Sequence, residues 1–200
     1  ILQGNPEVVA AFGTTGNSGA DFSIPYYWNM APNRDTTFTP RVMSKRGTML
    51  NTEFRYLESN YAGTLIHEVL PQDRVKDDAS RFGLTLRHAQ RWDSGWVGSL
   101  DVQKVSDGTY FTDLSTKIAA TSQVILPRQG VLAKGGSWWN DGAWGFSAVL
   151  QRWQTLSPDP LNPVAAPYNR SQMNLTATKQ NIGLADFDLN SHLVAFTHPA

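Results

Sequence analysis

Apolar and polar side chains alternate with a period of two along most of the chain. In segment 96–104, alternate positions form two sets, each of one parity (even or odd residue numbers). The even set is Trp96, Gly98, Leu100 and Val102, and the odd set is Val97, Ser99, Asp101 and Gln103. Segments 48–56, 81–90 and 144–150 alternate in the same way. Alternation of this length is typical of β-strands with one buried face. No window of the sequence has the spacing and caps of an amphipathic helix.

Short polar segments separate the alternating runs and predict reversals between antiparallel strands. They lie at residues 31–35, 44–47, 58–60, 71–80, 92–95, 106–108 and 140–142. Early reversals are about 12 residues apart, which suits strands that cross a bilayer at a tilt. Four prolines make segment 156–169 a predicted long loop. The sequence therefore predicts an all-β fold, an antiparallel up-and-down meander of nine or ten strands.

Two kinds of all-β protein fit this pattern, a soluble β-rich module and a transmembrane β-barrel. A soluble sandwich would have an apolar parity rich in Val, Ile and Leu that faces a dry core. Here the second parity is polar in nearly every strand, and aromatic residues cluster near strand ends, as in the girdles of membrane barrels. These residues are Tyr26, Tyr27, Trp28, Tyr56, Trp92, Trp96, Trp138, Trp139 and Trp153. The pattern favours a barrel and leaves the soluble module open.

Composition narrows the function classes. Basic residues (Lys and Arg) and acidic residues (Asp and Glu) both number 17, and this zero net charge argues against a nucleic-acid partner. The sequence contains no cysteine, which excludes disulfides, thiolate metal ligands and a cysteine nucleophile within it.

No set of residues has the sequence spacing of a catalytic or metal site. The histidines match neither His-Glu-x-x-His nor a Gly-x-Ser-x-Gly elbow, and they are His67, His88, His192 and His198. His67 and Glu68 are adjacent, so a strand would point them to opposite faces. The carboxylate pairs at 77–78 and 186/188 are interpreted as solvated charges. We therefore expect no enzymatic activity, no cofactor and no metal.

Two prolines stand out because they lie inside strand-like runs. They are Pro25 and Pro40. Each lacks an N–H and so removes one possible ladder hydrogen bond. A reversal centred on residues 32–33 would place the two prolines opposite each other and weaken the start of the sheet. Prolines that only protect an edge strand would give the same pattern.

Several collinear blocks carry a more specific resemblance. They are residues 25–47, 53–57, 70–75, 105–115, 151–156 and 196–199, and they include Pro25-Tyr-Tyr-Trp-Asn and Glu53-Phe-Arg-Tyr-Leu57. With these blocks the chain resembles, from about Ser18 to Pro199, the start of the β-barrel of the LptD family of outer-membrane LPS-assembly proteins.

The resemblance implies a function and partners. The family receives lipopolysaccharide (LPS) from the periplasmic Lpt bridge and passes it, without enzymatic chemistry, into the outer leaflet of the Gram-negative outer membrane. Its barrel has roughly 26 strands, and the LptE lipoprotein plugs the lumen. A lateral gate lies between the first and last strands. Family prolines in the first two strands match Pro25 and Pro40, which are thereby implied as gate residues.

The resemblance also implies boundaries and faces. Residues 1–17 are expected to be the end of a periplasmic jellyroll or a lead-in, and residues 18–200 the N-terminal portion of the barrel. Ten strands cannot close such a barrel, so the chain is expected to be an excerpt. Residues expected to face the lumen are Asn51, Glu53, Arg55, Arg87, Asp101 and Gln103. Those expected to face outer-membrane lipid are Leu50, Phe54, Leu84, Leu86, Leu100 and Val102.

Two alternative functions stay open at this point. An outer-membrane lipid hydrolase of barrel type would need Ser, His and acidic side chains that converge on one wall. A soluble β-rich binding module would need no bilayer.

Overall fold

The computed structural model describes residues 9–115, 122–139, 141–157, 159 and 161–198. In these residues, twelve β-strands form one antiparallel sheet. They are β1 (Ala11–Thr15), β2 (Gly19–Ser23), β3 (Tyr26–Ala31), β4 (Arg34–Met43), β5 (Gly47–Leu57), β6 (Tyr61–Asp73), β7 (Ala79–Arg91), β8 (Trp96–Val105), β9 (Ile125–Trp138), β10 (Gly142–Thr155), β11 (Asn169–Ile182) and β12 (Ala185–Thr197). A short helix, α1 (Tyr110–Leu114), follows β8. Within the same residues, no helix has the length and apolar character needed to span a membrane.

The strands pair in chain order, which confirms the predicted all-β meander. The order runs from β1 through β2 and then from β4 to β12, while β3 continues the direction of β2 and pairs with β4. The predicted nine or ten strands become twelve because β1 adds a hairpin and a break at Ile24 and Pro25 divides the next strand. Over the described residues the sheet is open, since the outer edges of β1, β3 and β12 pair with no strand.

Successive connections alternate between the two ends of the sheet. We call the end that carries the connections after β4, β6, β8 and β10 the helix end, and the opposite end the tryptophan end. Six of the seven tryptophans lie near the tryptophan end, namely Trp28, Trp92, Trp96, Trp138, Trp139 and Trp144. Tryptophan residues therefore concentrate at one rim of the sheet.

A bulge corrects the predicted register of the first hairpin. The turn lies where the sequence places it, but a register shift occurs at Met30. Each residue on the far side of Met30 from the turn therefore pairs with the residue one position before its predicted partner. Pro25 is therefore level with Thr39, and Pro40 is level with Ile24. The prediction that the two prolines face each other is wrong, because the extra residue of a bulge moves the register by one position.

Segment 106–115 folds over one face of the sheet at the helix end, which the alternation did not predict. Helix α1 spans too few residues for a helical period to be visible in the sequence. Its buried residues Tyr110 and Leu114 pack in a small core with residues from the strand ends, which are Met43, Met49, Leu70, Val105, Leu126 and Leu156. The predicted loop before β11 is confirmed. Its Pro158 and Pro160, and Asn140 of an earlier predicted reversal, lie outside the described residues.

Candidate functional site

The ladder registers divide the strand side chains between two faces of opposite character. We call the face on which Asn51 lies the polar face. The opposite face, on which Leu50 lies, is called the apolar face. Pairing carries both parities through successive strands from β4 to β12. All six residues expected to face the lumen lie on the polar face: Asn51, Glu53, Arg55, Arg87, Asp101 and Gln103. The six residues expected to face lipid lie on the apolar face.

Large apolar side chains stay exposed across the whole width of the apolar face. Leu150 is 62% exposed and Leu100 is 43% exposed. Other exposed members are Phe22, Ile24, Trp28, Val42, Leu50, Leu132, Met173, Leu175 and Leu193. Soluble monomers rarely expose a contiguous apolar surface of this extent, and such surfaces are typical of sites that contact a membrane or another protein.

Hydrogen bonds tie the polar face together. Both Nε and Nη2 of Arg55 donate to Asp35, at 2.8 and 2.6 Å. The amide Nδ2 of Asn51 donates to Oε1 of Glu68 at 2.8 Å, and the hydroxyl of Tyr110 donates to Oε2 at 2.9 Å. Helix α1 is therefore bonded to the polar face.

At the helix end, a group of five charged residues forms what we call the ionic cluster. Arg46 and Arg81 donate to the fully buried carboxylate of Asp73, at 2.6 and 2.9 Å. Arg81 also donates to both carboxylate oxygens of Asp107, at 2.8 Å each, and to Asp113 at 3.0 Å. One guanidinium thus binds three carboxylates from β6, from the connection after β8, and from α1. Such bidentate, charge-assisted bonds are among the strongest in proteins.

The ionisation of two groups shows how strongly the segment is held. Burial alone would raise the pKa of the Asp107 carboxyl, but hydrogen bonds from Arg81 and Ser106 outweigh it and lower that pKa to about 2. Burial, reinforced by the negative charge of Glu68, raises the pKa of Tyr110 well above its usual range. Asp107 therefore stays ionised and Tyr110 stays a hydrogen-bond donor at neutral pH.

Sequence reasoning missed the ionic cluster. Its members come from the turn after β4, the end of β6, the start of β7 and the segment after β8, and no short motif links them. A reversal was predicted at 106–108, but its sequence carries no sign that Asp107 turns inward to an arginine on another strand.

Arg41 joins this region to the first strands. Its Nε and Nη2 bind the carboxylate of Asp21 on β2, with Nε–O distances of 2.9 and 3.0 Å. Its Nη1 donates to the carbonyl of Leu114 at 2.6 Å. The end of α1 is therefore linked to both β4 and β2, next to Pro40.

The prolines remove hydrogen-bond donors in two different directions. The N–H of Ile24 donates to the carbonyl of Pro40 at 3.3 Å. In an antiparallel strand, the N–H and C=O of one residue point to the same neighbour. The hydrogen bond that Pro40 cannot donate is therefore the one that would run from β4 to Ile24, at the Ile24–Pro25 break. By the same alternation, the missing N–H of Pro25 lies on the outer edge, away from β4.

A cavity of about 680 Å³ lies on the polar face beside α1 and the first strands. Its apolar lining includes Phe12, Met49, Ile66 and Phe111, and its charged lining includes Asp21, Arg41, Glu53 and Glu68. The walls can therefore contact both the polar and the apolar parts of an amphiphile.

The histidines and carboxylate pairs considered in the sequence do not come together. His67 and His88 lie on the apolar face, and His88 Nδ1 lies 2.6 Å from the hydroxyl of Tyr56. Asp77 and Asp78 lie in a turn and both have positive φ. Over the part of the chain that the structure describes, no three His, Cys, Asp or Glu side chains group as metal ligands would.

Comparison with known proteins identifies the family. The family model for LptD, described as LPS transport system D, matches residues 79–200, which is more than half of the chain. The chain belongs to the LptD family. The LPS-assembly protein LptD of Nitrosomonas eutropha is 43% identical over 188 residues, covering 94% of this chain and 26% of that protein. Its namesake in an Azoarcus species is 44% identical over 190 residues, covering 94% and 22%.

A third relative extends the comparison. The LPS-assembly protein LptD of Burkholderia pseudomallei is 40% identical over 184 residues, covering 91% of this chain and 22% of that protein. The chain thus spans about a quarter of the length of these LptD relatives.

Proposed function

We propose that this chain forms part of the wall of an outer-membrane β-barrel that transports and assembles LPS without enzymatic chemistry. The observation that carries the proposal is membership of the LptD family, whose curated relatives are named LPS-assembly proteins. The open sheet with one polar and one apolar face supports it, because a barrel wall needs a face for each environment.

In this proposal, the polar face lines the lumen and the apolar face contacts lipid. Arg55, Arg87 and the other four predicted lumen residues would contact the sugars of the amphiphile. Acyl chains would leave along the apolar side. Lipid tolerates no unpaired strand edge, so other strands would have to cover the outer edges of β1, β3 and β12 wherever these lie in the bilayer.

The division of the chain and the partners are proposed on the same basis. Residues 1–17 would be the end of the jellyroll or a lead-in, and residues 18–200 the start of the barrel. LptE would plug the lumen, and the periplasmic Lpt bridge would deliver LPS to the periplasmic domain that the family carries. Strand β1 begins inside the proposed lead-in and pairs with β2, so that segment would enter the sheet directly.

Pro25 and Pro40 are proposed as gate residues. Pro40 leaves the carbonyl of Ile24 without its ladder donor, and Pro25 removes a donor from the edge that a closing strand would meet. Each missing bond removes about 0.5–1.5 kcal/mol of net stabilisation. The pairing with β4 and the outer edge of the first strands are both weakened beside Ile24 and Pro25, which favours separation of the strands at that point.

The test uses cells whose only copy of the full-length protein carries Pro25→Val and Pro40→Val. Restored N–H groups should strengthen the seam and slow the arrival of pulse-labelled LPS at the cell surface. The matched control is Pro127→Val, because Pro127 lies in β9, away from both edges. Unchanged LPS arrival at normal protein levels would refute the gate role, and wild-type protein that carries no LPS would refute the function itself.

A further inference from the structure

The polar face carries charges of both signs, whereas the apolar face carries charges of one sign only at its ladder-paired positions. Strand carboxylates at ladder-paired positions all lie on the polar face, and they are Asp21, Asp35, Glu53, Glu68, Asp73, Asp101 and Asp188. The charged side chains at ladder-paired positions of the apolar face are all basic: Arg34, Lys104, Arg128, Lys134, Arg152 and Lys179. They occupy the two ends of the sheet and leave the middle uncharged.

At the tryptophan end, the cations already have partners. Arg34 donates to Glu58 at 2.9 Å, and Lys179 forms an ion pair with Asp141. Lys134 lies over the ring of Trp96, with its ammonium 5.6 Å from the ring centre. These contacts neutralise or shield the positive charge at that rim.

The helix end is different, and its three cations, Lys104, Arg128 and Arg152, are here called the basic patch. Among the described residues, none of the three forms an ion pair with a carboxylate. Within the described residues, the ammonium of Lys104 lies 5.5 Å from the ring centre of Phe82, and Arg128 donates to Gln154 at 2.9 Å. The Nε of Arg128 is buried and has no hydrogen-bond partner there.

The geometry of the basic patch favours the binding of an anion. Arg128 and Arg152 face each other directly in the β9–β10 ladder, and Arg128 also faces Val102, two residues before Lys104. Like charges in directly opposite positions destabilise a sheet. A phosphate group bound between the two guanidinium groups would offset that repulsion by its negative charge. Its oxygens would also accept hydrogen bonds from the free donors, because arginine binds phosphate in a bidentate manner.

We infer that the basic patch binds the phosphates of anionic glycerophospholipid head groups in the leaflet at the helix end of the sheet. The inference rests on the proposed function, because it requires the apolar face to contact a bilayer. The patch then lies where the apolar face ends, at the depth of the head groups, and long basic side chains reach that depth readily.

The test compares lipids bound by the full-length protein in nanodiscs. Wild-type protein in phosphatidylcholine discs that contain phosphatidylglycerol is released into detergent, and retained lipids are counted by native mass spectrometry. We expect wild-type protein to retain phosphatidylglycerol in preference to phosphatidylcholine. The double variant Arg128→Gln with Arg152→Gln should reduce this preference by about five-fold for each arginine replaced. Added salt should reduce it as well.

Two further variants separate charge from structure. Arg128→Lys with Arg152→Lys should keep most of the preference, because the charge remains. Arg170→Gln should keep all of it, since Arg170 faces Gln151 on the polar side at the same end. An unchanged preference in the double glutamine variant overturns the inference while the membrane assignment stands. Failure of wild-type protein to enter the discs overturns both.

Discussion

Arg81 offers the sharpest test of whether the ionic cluster fixes segment 106–115 to the polar face. Its guanidinium binds Asp73, Asp107 and Asp113, and it is itself buried. Arg81→Gln leaves Asp73 buried with Arg46 alone and leaves Asp107 without its main partner. Removal of one partner from a buried ion pair costs about 3–5 kcal/mol, because an uncompensated charge remains behind.

Most of this lost free energy should lower the stability of segment 106–115 against local opening. The segment is short, and its remaining anchors are the Tyr110–Glu68 bond, the Arg41–Leu114 bond and a small apolar core. Amide hydrogen exchange in the full-length protein in detergent reports such opening. A loss of about 3 kcal/mol makes exchange at residues 110–115 at least about 100-fold faster.

The control for Arg81 is Arg91→Gln, on the same strand and the same face but at the tryptophan end. Exchange at residues 110–115 should not change in this variant. If Arg81→Gln prevents folding, Asp107→Asn removes a single carboxylate and gives a smaller effect in the same direction. Wild-type exchange at residues 110–115 in both cluster variants would show that the ionic cluster does not hold the segment.

Two other predictions follow from the charges and the faces. Since the folded pKa of Asp107 is lowered to about 2, its stabilisation of the segment is complete above its ordinary value near 3.8 and is lost as pH falls from about 4 to 2. Exchange at residues 110–115 should rise over that window after correction for intrinsic rates, and a flat profile would contradict the assignment. Leu86→Arg on the apolar face should cost about 2–4 kcal/mol if that position lies near the bilayer midplane, whereas Arg87→Leu on the polar face should cost less. Equal unfolding midpoints in urea for the two variants would refute the assignment of faces.

The alternation of the sequence was enough to predict the faces. A period of two assigns each side chain to a side, and ladder pairing preserves that assignment from strand to strand. Asn51 and Gln103, although far apart in sequence, therefore lie on the same face. Parity survives because a shift of one residue would expose a whole apolar set on the wrong side.

The register of the first hairpin and the ionic cluster could not be predicted in the same way. A bulge at Met30 adds one residue without disturbing the local hydrophobic pattern, so only the structure shows that Pro25 and Pro40 are not opposite. The cluster depends on how turns at one end of the sheet meet in space. Arg46 belongs to the turn after β4 and Asp113 to helix α1, and nothing local in either sequence requires the two side chains to lie 3.5 Å apart.

In the proposed gate, the position of Arg41 bears on which part of the first strands would separate first. On the helix-end side of the Ile24–Pro25 break, β2 pairs with β1 and β4 and is held by the Arg41–Asp21 ion pair. Beyond the break, β3 pairs with β4 alone, and its other edge pairs with no strand in the described residues. Detachment of β2 from β4 would break a half-buried bidentate ion pair in addition to a ladder, whereas detachment of β3 from β4 would break a ladder alone. In the proposed gate, we therefore expect opening to begin at β3, on the far side of the break from Arg41.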